Sequence, residues 1–417
     1  MTGNRWRTAP LWSLASEKRT TVEPADLGDR VVHYSIPAID AIGTGRVEST
    51  ADIKSAKLRL HGGEVLVSKL NPRKSRVVTV QASALPVVSS TEFVGLRPEK
   101  DLDAGFLAYF LQSEATRQTL DSRVQSVTRS HQRAAPEDVT HLMVTVPPLE
   151  EQHRITAYLN DTTARIDGLT HARQSQLRCL SDLWQSKLAE MTEGLISTHG
   201  VVALRRVVMS VEQGWSPQCE ETEADPSEWA VLKTSAVSTG TFQPQQHKRL
   251  PPDITPDLRY KVVDGDILMT RGSGSAAHVG VATLARTDGR KLLLSDLLYR
   301  LRVTNDWDPR FVTMLLGSAP VRAHMALLLR GQSGQTIKLR ADDIKSVEIP
   351  ATPADSQLAV VAELEASRQS ISGVQSAIRR SLALFRERRQ ALITAAVTGQ
   401  FDVSTASGRN VTEGVSA

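Results

Sequence analysis

Cysteine is nearly missing from this chain: Cys179 and Cys219 are the two in 417 residues. Two thiols make neither a disulfide framework nor a zinc ribbon, which points to a reducing, cytoplasmic setting. Met1 to Arg19 is charged and broken by Pro10, with no apolar core, so no signal peptide is expected. No run approaches the roughly 18 apolar residues that would span a bilayer. An excess of one charge is lacking too, because 50 basic residues face 46 acidic ones for a net +4. That balance excludes a polybasic-tail DNA binder but permits local basic faces.

Catalytic signatures are also absent. There is no G-x-x-x-x-G-K-[ST] phosphate loop, no G-x-S-x-G elbow and no H-E-x-x-H. No His, Cys and Asp cluster has metal-ligand spacing, so no metal is expected. An amino-directed methyltransferase would need an Asn/Asp-Pro-Pro-aromatic motif, but Pro147-Pro148 and Pro251-Pro252 follow Val146 and Leu250. Gly272-Ser273-Gly274-Ser275 has no following lysine and reads as a strand-to-strand turn. The chain is expected not to be an enzyme itself.

What is present is a duplication. Leu96-Arg97 returns as Leu301-Arg302, and Asp101 and Asp103 return as Asp306 and Asp308. Phe106, Leu111, Ser113 and Arg117 return as Phe311, Leu316, Ser318 and Arg322. The same offset of 205 carries Asp138 to Asp343, Gln152 to Gln357, Gly168 to Gly373 and Gly194 to Gly399. A period this long is too great for a solenoid, so the chain is two domain-sized copies. The expected class is α+β, with a pseudo-twofold internal repeat.

Each copy divides by composition. Residues 1–146 and 199–349 hold most of the Gly, Pro and β-branched alternation and read as mixed α/β globules. Strands are expected at Val65–Val67, Val77–Val80, Ile267–Met269 and Leu298–Val303, and single amphipathic helices at Phe106–Leu120 and Phe311–Leu329. Residues 147–198 and 350–403 open at proline and then run on as helices, with 404–417 a polar tail. The first arm places Ile155, Leu159, Ile166, Leu169, Leu177, Leu180, Trp184, Leu188 and Met191 at helical spacing. The second does so with Leu358, Val361, Leu364, Ile371, Val374, Ile378, Leu382, Phe385 and Leu392. A helix of about 45 residues extends roughly 65 Å and cannot bury such a stripe alone. The expected partner is the other arm, as an antiparallel coiled coil between the globules. Gly194 and Gly399 suit C-caps. Gly168 and Gly373 mark either a close helix approach or a hinge, or drift retained from the duplicated ancestor.

Candidate DNA-contacting residues lie in basic and polar loops. They are Lys69, Arg73, Lys74 and Arg76, then Arg129, His131, Gln132 and Arg133, in the first globule. In the second they are Lys248, Arg249, Arg271, Ser273, Ser275, Arg330, Gln332, Gln335 and Lys338. Such side chains pair with base edges and phosphate oxygens. The globules carry +3 and +2 by count, so selectivity must come from local faces or from partners.

Two stretches carry a family resemblance. Pro147-Pro148-Leu149-Glu150-Glu151-Gln152-His153-Arg154-Ile155 resembles the start of the conserved arm in specificity subunits of type I restriction–modification systems. Arg386-Glu387-Arg388-Arg389-Gln390-Ala391-Leu392-Ile393-Thr394-Ala395-Ala396-Val397-Thr398-Gly399 is similar to the end of that arm. The second copy departs at Thr352-Pro353-Ala354-Asp355-Ser356-Gln357, and the first arm ends on a weaker match at Ala189 to Gly194. The resemblance implies two target recognition domains, each reading half of a bipartite, asymmetric site in double-stranded DNA. It further implies arms that set the half-site spacing and dock two adenine-methylating modification subunits, with restriction/translocase subunits joining them. S-adenosylmethionine, ATP and Mg would then belong to those partners, with no cofactor and no membrane contact on this chain. The residues alone leave two alternatives open: a standalone sequence-specific DNA-binding regulator and a coiled-coil protein scaffold.

Overall fold

A computed structural model describes residues 6–124, 132–331 and 336–403. The chain forms two compact units, Met1–Gln174 with Arg379–Ala417, and Ser175–Ile378. Among the described residues the α-helices are α1 (Ile36–Ile42), α2 (Ala104–Gln112), α3 (Glu114–Ser122), α4 (Pro136–Thr140), α5 (Leu149–His199), α6 (Pro309–Leu316), α7 (Ala319–Leu327), α8 (Ala341–Ser346) and α9 (Ala354–Val397). None is long and apolar enough to cross a membrane.

The first unit builds its core on a four-stranded antiparallel sheet of Ala15–Lys18, Phe93–Pro98, Val65–Ser68 and Val77–Thr79, in that order. Phe106, Leu107 and Leu111 of α2 and Ile155 and Leu159 of α5 close over this sheet, with Ile393, Ala396 and Val397 of α9 in the same core. A five-stranded sheet beside it contains one parallel pair, Arg30–Tyr34 with Val87–Ser89. The second unit repeats the plan. Its four-stranded sheet runs Val208–Gln213, Leu298–Val303, Ile267–Thr270 and Ala282–Leu284. A three-stranded sheet again has one parallel pair, Trp229–Leu232 with Lys291–Leu293.

The long helices pair antiparallel within each unit. In the first, Arg389 Nε lies 3.5 Å from Asp167 Oδ1, and the Tyr158 and Phe401 rings sit 5.6 Å apart. In the second, Lys187 Nζ lies 3.1 Å from Glu363 and donates to Ser367 at 2.7 Å, while Arg368 stacks over Trp184. Residues rising along α5 therefore meet residues falling along α9.

One side chain fastens each arm to its globule. Gln152 Oε1 accepts from the backbone N–H of Asp103 at 2.8 Å, and its Nε2 donates to the carbonyls of Asp101 and Pro147 at 2.9 Å each. Gln357 does the same with Asp308 N–H and the carbonyls of Asp306 and Thr352, at 2.9, 3.2 and 2.9 Å. Both amides are buried, at 0% and 1% exposure. The second acceptor is a main-chain carbonyl, so exchanging Pro147 for Thr352 leaves the clasp unchanged. This explains why the sparse repeat identities include Gln152, while Asp103 and Asp308 recur as the side chains that cap α2 and α6.

Several expectations change. The single helices expected over Phe106–Leu120 and Phe311–Leu329 are each two, α2 with α3 and α6 with α7. Ser113 breaks the first pair, since its hydroxyl accepts from Thr116 N–H and caps α3. Gly194 is not a C-cap: α5 continues to His199 and stops at Gly200, whose φ of +70° suits a residue without Cβ. The buried stripe is incomplete, with Leu169, Leu358 and Val374 48% exposed or more. Ile166, Leu364, Ile378, Leu382 and Leu392 are buried, while Leu177, Leu180, Trp184, Ile371 and Phe385 are half-buried. Gly168 and Gly373 make no close helix approach, because a Cβ at either would meet nothing within 4 Å.

Gly168→Ala and Gly373→Ala should therefore each stabilise the chain by about 0.5–1 kcal/mol, seen as a higher midpoint in denaturant unfolding. Gln152→Leu should do the opposite, costing on the order of 2–3 kcal/mol, because it strands buried backbone groups that no water can reach.

Candidate nucleic-acid interface

In the second unit, Ile267–Thr270 at the heart of the four-stranded sheet delivers the chain to Arg271. The next residues, Gly272 and Ser273, are not a simple turn but a short strand paired with Ile337 and Lys338. Leu339 N–H donates to Arg271 O at 2.9 Å, and Arg330 and Lys338 exchange backbone hydrogen bonds at 3.1 and 2.9 Å. Segments far apart in the chain are thus locked side by side. Together Arg271, Arg330, Lys338 and Arg340 line an open hollow of about 760 Å³, and among the described residues no carboxylate lines it.

Arg271 is held in place there. Its Nε donates to the Tyr299 hydroxyl at 3.2 Å, its Nη1 to Asp296 O at 3.3 Å, and the guanidinium lies 5.9 Å from the Tyr299 ring centre. Arg330 Nε lies 3.6 Å from Asp343, beyond hydrogen-bond reach, whereas Lys338 and Arg340 are exposed. Four like charges in one concavity raise the local positive potential, as a site for phosphate oxygens requires. Ser273 is half-buried and Ser275 exposed on the adjoining loop.

The first unit makes the same junction. Ala134 N–H donates to Lys69 O at 3.0 Å, Asn71 N–H to Gln132 O at 2.7 Å, and Leu70 bridges Arg133. Between them a 3-10 turn, Pro72–Lys74, is flanked by Asn71 and Ser75 with φ of 51° and 47°. A left-handed conformation costs a side-chain-bearing residue roughly 1–2 kcal/mol, and such strain gathers where a loop must be presented in one way. The turn exposes Arg73 and Lys74.

Other expected contacts have structural work instead. Arg76 is buried, its Nε and Nη2 donating to Asp40 at 2.6 and 2.7 Å and its Nη1 to Leu70 O at 3.3 Å. Hydrogen bonding by Arg76 holds the Asp40 carboxyl below its ordinary range. Arg133 is bound bidentately by Glu92, at 3.0 Å for both contacts, which raises its pKa. Lys248 pairs with Glu221 at 2.5 Å, and Arg249 with Glu228 at 2.5 Å and Glu220 at 3.4 Å. Both sit on the strand His247–Arg249 of another sheet and neither lines the hollow. Arg129, His131, Gln332 and Gln335 lie outside the described residues.

Three comparisons with known proteins give the chain's likenesses. Residues 39–178 match the family model for the type I restriction modification DNA specificity domain. The specificity subunit of the Escherichia coli K12 type I restriction enzyme EcoKI is 26% identical over 318 residues, spanning 73% of this chain and 67% of that one. The StySPI specificity subunit of Salmonella potsdam is 21% identical over 95% of this chain and 89% of its own. The chain is thus similar to the specificity subunits of type I restriction–modification systems, with the family model matching residues 39–178. One solved structure, from work on complex assembly and conformational transition of the type I system, shares the fold of this chain. Its TM-score is 0.69 at 19% identity, covering 95% of this chain and 98% of that one.

Two residues of the hollow escape a reading of the sequence. Arg340 has no counterpart in the repeat, since Ala135 stands there, and Tyr299 reads as an ordinary strand residue. Their signal is spacing from the junction: Arg340 lies two residues beyond Lys338 and faces the same hollow. Lys338→Ala and Arg340→Ala should each weaken duplex binding and flatten the log Kd against log salt slope by about 0.9 for each phosphate no longer neutralised. Arg249→Ala, read in the same fluorescence anisotropy series, should leave the slope unchanged.

Proposed function

We propose that this chain is a specificity subunit that reads a bipartite, asymmetric DNA sequence, each globule contacting one half-site through its loop junction. The recognition role is the family's, and the family is the non-catalytic component of its systems. The observation that carries the two-site reading is the repeated junction: Arg271 beside Lys338 in one unit, Lys69 beside Arg133 in the other. Phosphate contacts from Arg271, Lys338 and Arg340 in one unit and from Arg73 and Lys74 in the other would fix register, leaving neighbouring polar side chains to read base edges. In the proposal α5 and α9 set the separation of the half-sites, since successive turns of B-DNA lie about 34 Å apart. They also dock two modification subunits, with restriction subunits joining the assembly. Methyl transfer from S-adenosylmethionine to a flipped adenine, and ATP- and Mg-dependent cleavage, then belong to those partners.

Exchanging residues 1–146 for the equivalent domain of another specificity subunit should change one half of the methylated motif and keep the other. Genome-wide mapping of methylated adenines reads this directly, and a change in both halves would refute one domain per half-site.

A further inference from the structure

The duplication left one matched position chemically unequal. In the first unit Arg117 is clasped by Glu114, its Nε donating to Oε2 at 2.9 Å. Its repeat counterpart, Arg322, has no such carboxylate, because Ala319 stands where Glu114 does. Arg322 instead donates to the carbonyls of Val279 and Ala277, at 2.8 and 3.3 Å. Burial alone pushes its pKa down.

Arg322 lines a cavity of about 430 Å³ in the second unit, shared with Arg368, which stacks over Trp184. No carboxylate lines this cavity, and among the described residues neither guanidinium has an ion-pair partner. Trp184, Leu188 and Met314 supply apolar lining, and Ser238 to Thr241 line it as well. The first unit has a matching cavity of about 330 Å³ lined by Ala108, Tyr109 and Gln112, the counterparts of Thr313, Met314 and Gly317. Its arginine, Arg389, faces Asp167 at 3.5 Å. One copy has its cations neutralised from within, and the other keeps two beside a hollow of small-molecule size.

We propose that the cavity of Arg322 and Arg368 binds a small molecule carrying a phosphate monoester. A dianion matches two guanidiniums that no internal acid balances, and planar guanidinium forks suit phosphate oxygens. The apolar lining beside Trp184 takes the body of the molecule. Arg322 also holds the end of the loop that bears Ser273 and Ser275, so the site adjoins the recognition loop without sharing its cations.

The test is isothermal titration of the full-length chain with AMP, using adenosine as the uncharged control. AMP should bind and adenosine should not. Arg368→Met should weaken AMP binding by about tenfold or more, as expected when a charge-assisted hydrogen bond is removed. Ala319→Glu, at an exposed position, restores the carboxylate of the first copy and should have the same effect. Lys338→Ala should leave AMP binding unchanged. No AMP binding, AMP binding untouched by both cavity variants, or loss of binding in Lys338→Ala would each overturn the proposal. So would displacement of AMP by a non-target duplex that persists in Lys338→Ala, since DNA backbone would then be the occupant.

Discussion

A carboxamide group with three hydrogen bonds decides where each long helix leaves its globule. Gln152 and Gln357 are buried and saturated by main-chain groups on both sides of the junction. A buried amide accepts no substitute that fails to meet both a donor and two acceptors at these positions. The helix that begins there inherits its direction from that clasp. The first turns of α5 and α9 then bury Ile155 with Leu159, and Val361 with Leu364, against their globules. Antiparallel pairing of the arms follows from helices whose starting points are set in this way.

Duplication preserved the frame and released the charges. Sheets, split helices and loop junctions recur in both units, because each is defined by backbone pairing and apolar fill. The polar decoration diverged. Glu114 holds Arg117, while Ala319 leaves Arg322 to main-chain carbonyls. The first recognition loop is stiffened by two left-handed residues and by Arg76 on Asp40, whereas the second is pinned by Tyr299 beneath Arg271. One scaffold thus supports two differently built surfaces.

Much of the architecture is legible in the sequence, for identifiable reasons. The arms show because helical periodicity is local and an apolar stripe survives as spacing. The repeat register shows because Gln152 and Gln357 make one clasp in each copy and Asp103 and Asp308 cap the helix that follows. Ser113 as a helix break is visible as a matched pair with Ser318 but not as a cap, since an apolar run continues across it. The exposure of Leu169, Leu358 and Val374 is not readable from spacing, because a stripe shows which face is apolar and not how far along it a partner follows.

By itself the sequence determined the two-copy order, the helical arms and the family likeness, all of which rest on local periodicity and on motifs read in register. Tertiary structure decided which cations are left without an internal carboxylate partner. Arg76 and Arg133 lie in the same basic loops as Lys74, yet Asp40 and Glu92 claim them from 36 and 41 residues away. Arg271, Lys338 and Arg340 became one surface only when strands distant in the chain paired. A charge reports its sign in sequence, but its availability depends on neighbours that folding brings to it.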